Sequence, residues 1–318
     1  MGKTDQFKLE RPAFSRRSFL MGTAALGLGA GLGAGTRPLW ANPIALGDGE
    51  VQVFSDGNLS LPMNFILPEQ SPQEIEALMK PHNLDTQTLT PDCNVTLLRR
   101  GDRLALFDVG SGSNFQPTAG ELLTQLEDAG VDPADVTDVI FTHAHPDHLW
   151  GVLDEFDDPL FADAQYWISE AEWAYWSADD TLAKTPEDRK SFVVGAQSRF
   201  EAIADQVAMI KPGQEVLPGV EAIDTSGHTP GHMSYMIHSG SETVLVLGDA
   251  ISNAVISFER PDWHSGTDQD REKGAKTRMA LLDRLAQDQT RIIGYHLPHP
   301  GIGRAEKNGT AYRFVADS

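Results

Sequence analysis

Cysteine is almost absent from this sequence: Cys93 is the only one among 318 residues. A single thiol can form neither an internal disulfide nor a cluster of thiolate metal ligands. Cys93 comes just before the apolar run at residues 95–98, so we expect a small buried side chain there rather than a nucleophile. Any metal site in this chain should therefore use nitrogen and oxygen ligands.

Basic residues are also scarce, with 25 Lys and Arg against 46 Asp and Glu and a formal net charge of −21. Residues 1–41 hold six of the basic and two of the acidic residues, so the remainder has 19 basic and 44 acidic residues and a formal charge of −25. Such a surface repels polyanions and anionic lipid. We therefore expect no nucleic-acid partner, no membrane association after removal of the N-terminal segment, and a neutral small-molecule substrate.

Outside the N-terminus, the sequence has no apolar run of transmembrane length. Residues 15–20 resemble a twin-arginine export signal, and a small, Gly-rich apolar stretch follows at residues 21–35. That stretch is too rich in glycine to favour a membrane span, and residues 39–41 suit signal cleavage. We predict a signal peptide at residues 1–41, a single domain at 42–318, and a periplasmic or secreted protein.

The most informative stretch lies at residues 141–150, where three histidines and one aspartate fall within six residues: His143, His145, Asp147 and His148. The preceding β-branched and apolar residues, 136–141, predict a buried strand. Pro146 cannot continue a strand ladder, so these side chains should lie on a loop at the strand end. Imidazole and carboxylate groups are metal ligands. His143 and His145 can face one ion, while Asp147 and His148 can face a second.

Three further candidate ligands follow predicted strands in the second half of the chain. They are His228, Asp249 and His296. His232 lies four residues after the first of these, and His299 lies three residues after the last, so each is a rival candidate. The strand ends at which these residues lie predict that they share one edge of the fold with the histidine-rich loop.

The His-X-His-X-Asp-His pattern resembles the metallo-β-lactamase fold superfamily. Residues 55–57, 107–110, 227–232, 247–249, 296–303 and 312–315 are, in addition, similar to stretches of methyl parathion hydrolase and related secreted lactonases. The resemblance covers about residues 50–316. It implies an αββα sandwich of two mixed sheets with outer helices. This architecture agrees with the signals for strands and helices in two similar halves of the chain. The residues predict a hairpin turn at 55–58, helices at 72–79, 117–129 and 271–287, and Ser169 as the N-cap of a further helix.

The resemblance also implies a site for two divalent ions, of which zinc is favoured by nitrogen and oxygen ligands. One ion would take His143, His145 and His228, the other Asp147, His148 and His296, and Asp249 would bridge the two. Ions about 3.5–4 Å apart in such sites share a bound hydroxide that attacks the substrate. Asp147 is then also the expected catalytic residue.

Residues around the expected ligands receive roles by the same resemblance. Asp108 and His232 would brace the ligand loops through hydrogen bonds. Phe115, Trp176 and Phe192 would line an aromatic, mostly apolar substrate pocket, although plain core packing is an equally good interpretation of these three. A homodimer is plausible from the resemblance and from the proline-rich excursion at residues 67–92.

Missing residues narrow the expected chemistry. Asp249 stands where one β-lactam-hydrolysing subclass has cysteine, and His145 stands where diiron redox relatives have glutamate. Residues 250–253 lack the tyrosine that many acyl-homoserine lactonases carry after the bridging aspartate. We expect a hydrolase of neutral esters, with an N-acyl homoserine lactone as the first candidate substrate. The alternatives are hydrolysis of organophosphate triesters or aryl esters, and a non-catalytic metal-binding module.

Overall fold

The structure is a computed structural model that describes residues 41–317. Its strands are β1 (Ile44–Leu46), β2 (Gly49–Asn58), β3 (Leu61–Pro62), β4 (Thr88–Leu89), β5 (Asp92–Arg100), β6 (Arg103–Phe107), β7 (Asp138–Ile140), β8 (Gln165–Ser169), β9 (Val207–Ile210), β10 (Glu215–Leu217), β11 (Val220–Asp224), β12 (Met233–Ser239), β13 (Glu242–Val246), β14 (Arg291–Ile293), β15 (Ile302–Asn308) and β16 (Ala311–Ala316). Its α-helices are α1 (Met63–Ile66), α2 (Pro72–Met79), α3 (Leu122–Asp128), α4 (Pro146–Leu149), α5 (Glu170–Ser177), α6 (Thr181–Lys184), α7 (Lys190–Ile203), α8 (Ile256–Glu259) and α9 (Arg271–Asp288).

The predicted signal peptide, residues 1–41, lies outside the described residues apart from Ala41. Among residues 41–317, none of the helices has the length and apolar character needed to cross a membrane.

Two seven-stranded sheets form the frame of the molecule. The first has the order β1-β2-β5-β6-β7-β8-β9 and the second the order β10-β11-β12-β13-β14-β15-β16. Strands β6 to β9 run parallel, as do β13 and β14, whereas the other neighbours are antiparallel. Both sheets are therefore mixed, and the predicted αββα sandwich is confirmed.

Alternating side chains explain why each sheet is buried on both faces. In β6, Ala105 and Phe107 point into the core between the sheets, while Leu104 and Leu106 point into the core beneath the outer helices. Phe107 meets Tyr235 of the second sheet with ring centroids 5.6 Å apart. Successive residues of a strand point to opposite faces, so an apolar run can serve two cores at once.

The expected turn at residues 55–58 is wrong. Strand β2 continues to Asn58 and pairs with β5, with a register shift between Ser55 and Asn58. The irregularity directs the carboxylate of Asp56 into the protein, where it accepts hydrogen bonds from the backbone N–H groups of Ser111 and Leu122 at 2.8 and 2.9 Å. Polar, turn-forming residues were therefore mistaken for a hairpin when they form a bulge.

Helix boundaries were partly predicted. Helix α2 has the expected bounds, and α9 ends one residue later than expected. The helix expected over residues 117–129 begins only at Leu122, because Gly120 adopts φ +95° and its N–H bonds the carbonyl of Asp56. Ser169 occupies the expected N-cap position of α5, but its hydroxyl makes no capping hydrogen bond.

Parallel neighbours position the polar loops. The pair β6 and β7 brings Asp108 and the loop containing His143 to one end of the first sheet. The pair β13 and β14 likewise brings Asp249 and His296 to one end of the second sheet. Residues that follow parallel neighbours leave the sheet at the same edge, where α/β proteins commonly bind ligands.

Candidate metal centre

Three imidazoles converge at the rim of the sandwich. Nε2 of His143 lies 3.0 Å from Nδ1 of His145, and Nε2 of His228 lies 2.9 Å from that same Nδ1. These side chains are buried, with at most 9% of any residue exposed. Three nitrogens at such short mutual distances can present their lone pairs to a single cation, as in a three-histidine metal site.

A second group of donors lies beside the first. Oδ2 of Asp147 is 3.2 Å from Nε2 of His296 and 3.4 Å from Nε2 of His148. Asp249 connects the two groups, because its Oδ2 is 3.3 Å from Nε2 of both His228 and His296. Its Oδ1 is 3.2 Å from Nε2 of His148. The structure thus brings all seven candidate ligands together, with Asp249 in the bridging position.

Asp108 fixes the orientation of the histidine-rich loop. Its Oδ1 accepts a hydrogen bond from Thr142 N at 2.7 Å, and its Oδ2 accepts one from Thr142 Oγ1 at 2.8 Å. The same Oδ2 lies 2.8 Å from Nδ1 of His148, and Thr142 Oγ1 lies 3.0 Å from Nδ1 of His143. With the outer nitrogens engaged, the Nε2 atoms of both histidines face inward, which is how carboxylates orient metal-binding imidazoles.

Asp268 has the same position behind His228, and it was not singled out in the sequence. Its Oδ1 lies 3.0 Å from Nδ1 of His228, and its Oδ2 lies 3.4 Å from Nη1 of the buried Arg278. His296 instead donates from Nδ1 to the backbone carbonyl of Asp92 at 2.8 Å. Asp268 follows Gly266 and Thr267 in a loop without a recognisable motif, so only its spatial position reveals its role.

His232 lies behind the bridging carboxylate. Its Nε2 accepts a hydrogen bond from the backbone N–H of Asp249 at 2.9 Å, and its Nδ1 bonds Thr225 Oγ1 at 2.8 Å. Burial lowers the pKa of His232 to about 3, so the ring stays neutral and both nitrogens are occupied. His299 contacts Asn94 Oδ1 at 2.7 Å and lies outside the group of seven. His232 therefore offers no free nitrogen to the site, and His299 does not belong to the donor group.

In the first group, which consists of His143, His145 and His228, the local environment of His143 and His145 favours the neutral imidazole that binds metals. Burial lowers the pKa of His143 far below its ordinary value, and the neighbouring imidazoles lower it further. Burial and the neighbouring His228 lower the pKa of His145 in the same way. Both rings are therefore neutral at physiological pH and keep a lone pair for a ligand bond.

In the second group, which consists of Asp147, His148 and His296, the local environment favours charged side chains instead. Burial alone would lower the pKa of His148, but the charges of Asp147, Asp249 and Asp108 outweigh it and raise the pKa well above its ordinary value. Burial alone would raise the pKa of Asp147, yet His148 and His296 hold it well below the ordinary carboxyl value. This local field attracts positive charge, and a divalent cation can displace the protons that would otherwise supply it.

Three donor atoms show directly that the group suits a cation. Oδ2 of Asp147, Nε2 of His148 and Oδ1 of Asp249 are buried and have no hydrogen-bond partner among residues 41–317. A buried polar atom left without a partner costs about 1–3 kcal/mol. Nε2 of His148 lies 3.4 and 3.2 Å from the two carboxylate oxygens, so the three atoms are close together and the donor set fits divalent metal ions.

Cys93 also borders the site. Its Sγ lies within 4.8 Å of donor atoms of Asp147 and His296, and its side chain is fully buried. Burial raises the pKa of the thiol to about 11, so it is neutral at physiological pH. The sequence indicated a small buried residue, as found, but not its proximity to the ligands.

A cavity of about 910 Å³ opens beside His145. The Trp176 and Phe192 rings form part of its wall and lie edge-on to the His145 ring, with centroid distances of 5.8 and 6.0 Å. Phe115 supports this wall from behind, 5.9 Å from Phe192. The lining also includes Lys184, Arg189 and Arg271, together with Asp188, Asp268 and Asp270. Because aromatic and charged residues both line this cavity, it is not the mostly apolar pocket that was expected.

Comparison with known proteins agrees with this geometry. Residues 90–296 match the family model described as the metallo-beta-lactamase superfamily. The metallo-beta-lactamase domain-containing protein 1 of Xenopus laevis is 30% identical over 220 residues, which are 67% of this chain and 76% of that protein. The dizinc quorum-quenching lactonase AidC, solved with the product N-hexanoyl-L-homoserine, has a TM-score of 0.83 and 27% identity, covering 89% of this chain and 99% of AidC.

A second solved structure has a similar fold. The hydrolase AbOPH of the beta-lactamase superfamily has a TM-score of 0.80 and 26% identity, covering 87% of this chain and 97% of its own. The chain belongs to the metallo-β-lactamase superfamily. It is a metal-dependent hydrolase with divalent metal cofactors, as its histidine and aspartate clusters and its relatives indicate.

Replacing Asp268 by Asn should weaken metal binding. The amide cannot carry the negative charge that orients and polarises His228, so we expect about a 10–100-fold loss of affinity for one ion. Titration with a competing chelator measures the loss, with Asp262→Asn as an exposed control in the same segment. Equal affinities of the wild type and Asp268→Asn would contradict the role assigned to Asp268.

Proposed function

We propose that this protein is a dinuclear lactonase that opens the ring of N-acyl homoserine lactones. The observation that carries the proposal is the seven-donor group opening, at His145, into a 910 Å³ cavity with an aromatic wall. Pockets of about 300–1,000 Å³ suit small organic ligands. The similarity to AidC supports the same substrate class.

The cavity lining offers groups for both parts of such a substrate. The aromatic side chains of Trp176 and Phe192 can pack against an acyl chain. The lining also offers the guanidinium of Arg189, which is held by a 2.7 Å hydrogen bond to the carbonyl of Gly266. Its remaining N–H groups can donate to an amide or lactone carbonyl. A substrate with an apolar tail and a neutral polar head therefore suits this lining.

The seven ligands would hold two divalent ions, and zinc is the first choice for a set of imidazole and carboxylate donors. When bound, these ions would supply a nucleophile at neutral pH by acidifying water, and would polarise the substrate carbonyl. Asp147 lies in the second group, where its carboxylate can accept the proton lost by the attacking water and return it to the departing alkoxide. The acyl C–O bond of the lactone then breaks, the ring oxygen leaves as a hydroxyl group, and the new carboxyl group ionises and releases one proton at neutral pH.

Hydrolysis of organophosphate triesters or aryl esters is the second candidate. A phosphotriester also offers a polarisable oxygen and a leaving oxygen, and it carries no charge. The similarity to AbOPH, a hydrolase of the same superfamily, is compatible with this broader use of the site. The Tyr175 ring, which lines the cavity next to Trp176, could pack against an aryl leaving group.

Steady-state kinetics on zinc-loaded protein tests the proposal. We expect a higher kcat/KM for N-hexanoyl homoserine lactone than for an aryl phosphotriester. Asp147→Ala should lower kcat/KM for both by at least about 10²-fold, because it removes a ligand and a proton acceptor together. Asp163→Ala, which changes an exposed carboxylate outside the donor group, serves as the control. A reversed substrate ranking would establish the second candidate, and activity that survives removal of metal would contradict both.

We also propose that residues 1–41 direct export to the periplasm through the twin-arginine route and are cleaved after Ala41. Fractionation of a Gram-negative host should find the protein in the periplasm with Asn42 at its N-terminus. Replacing both Arg16 and Arg17 by Lys should leave the full-length chain in the cytoplasm. Equal export of the variant, or a cytoplasmic wild type, would contradict this proposal.

A further inference from the structure

One carboxylate near the site was not identified from the sequence. Glu172 lies in the first turn of α5 and is fully buried, with 0% of its surface exposed. Its Oε1 accepts hydrogen bonds from Ala144 N at 3.0 Å and from Trp176 Nε1 at 2.6 Å. Its Oε2 accepts from Thr229 Oγ1 at 2.7 Å and from Gly231 N at 2.9 Å. Four donors from three segments therefore meet on one side chain.

We propose that Glu172 is a positioning residue that holds the three-histidine group together and so sets the affinity for one of the two ions. The inference rests on the two-ion site of the proposed function, but not on the substrate. Ala144 stands between His143 and His145 in the sequence, and Thr229 follows His228. Glu172 thus accepts hydrogen bonds from both loops that supply the first group.

The two loops that are bonded to Glu172 follow strands of different sheets. The loop containing Ala144 follows β7 of the first sheet, whereas the loop containing Gly231 joins β11 and β12 of the second. The approach is close: a Cβ added to Gly231 would lie 2.1 Å from Glu172 N. Only glycine permits this contact. The carboxylate therefore joins the two sheets at the place where the three imidazoles meet.

The second group is held by different contacts. Asp108 orients His148, the Tyr295 hydroxyl donates to the carbonyl of Asp147 at 2.5 Å, and the carbonyl of Asp92 accepts from His296. None of these contacts involves Glu172. Although Asp147 and His148 lie on the same loop as Ala144, Asp108 and Tyr295 hold their part of that loop separately. Loss of the Glu172 carboxylate should therefore weaken binding of one ion much more than binding of the other, which a general loss of fold stability would not do.

Glu172 also connects the ligands to the cavity. Trp176, whose indole N–H it accepts, lies edge-on to the His145 ring at 5.8 Å. The same carboxylate thus holds a ligand loop, through Ala144, and an aromatic residue of the cavity lining, Trp176.

The test is the metal content of Glu172→Gln after dialysis, measured by elemental analysis. The Gln amide would turn an NH2 group, which cannot accept hydrogen bonds, toward two of the four donors, or toward the other two if it is flipped. In either orientation one ligand loop loses a hydrogen bond to residue 172. We expect the wild type and Glu170→Gln, an exposed neighbour on the same helix, to keep two ions per chain. Glu172→Gln should keep about one, with about 10–100-fold weaker binding of the other in chelator titration.

Double variants identify which ion is lost. If the three-histidine group is the weakened one, adding His228→Ala to Glu172→Gln should still leave about one ion. Adding His296→Ala should leave almost none, because it damages the remaining group. Two tightly held ions in Glu172→Gln, or loss of both in proportion to the unfolded fraction seen by circular dichroism, would overturn the proposal.

Two milder variants decide the matter if Glu172→Gln does not fold. Thr229→Val removes a donor from a ligand loop, whereas Trp176→Phe removes a donor that holds no ligand loop. Thr229→Val should weaken the first ion more than Trp176→Phe does, and the reverse order or no difference would contradict the proposal. A wild type that fails to bind two ions would instead refute the dinuclear site of the proposed function.

Discussion

Two buried carboxylates surrounded by imidazoles are the constraint on which this structure depends. Asp147 and Asp249 are 6% exposed, and each has a buried oxygen without a hydrogen-bond partner among residues 41–317. Burying a carboxylate without a compensating charge or hydrogen bond is strongly unfavourable. Protons on His148 and His296 relieve this only in part, and divalent cations at the same place would satisfy the oxygens and nitrogens together. The fold therefore holds buried carboxylates in place before metal binds, and bound metal ions would both stabilise them and supply the chemistry of the site.

The surrounding protein acts mainly on orientation. Asp108 and Asp268 face the outer nitrogens of His148 and His228, His232 holds the backbone of Asp249, and Glu172 ties two ligand loops to α5. Parallel strand pairs in each sheet deliver these loops to one edge, so the bracing groups need to act over short distances only. Such outer contacts fix ring orientation and ligand basicity in metal sites. The same arrangement leaves His145 at the cavity wall, where a substrate can approach the site.

The fold and the candidate ligand residues that it brings together were largely predictable because both leave local signals. Apolar runs ending in polar clusters mark strands that deliver ligands, and the spacing of His143, His145 and His148 is a motif in itself. Asp268 and Glu172 could not be found this way, because an isolated carboxylate in a helix or loop has no periodicity and gains its partners only through tertiary contacts. The turn expected at residues 55–58 failed for a related reason, since the long-range pairing of β2 with β5 overrides local turn preference. The charged residues that line the cavity likewise come from segments distant in sequence.

Anomalous scattering at the zinc edge, from crystals of the zinc-loaded protein, tests the central claim most directly. The account predicts two peaks per chain, one within bonding distance of His143, His145 and His228, and one within bonding distance of Asp147, His148 and His296. Asp249 should contact both peaks. A single peak, or peaks away from these side chains, would contradict it.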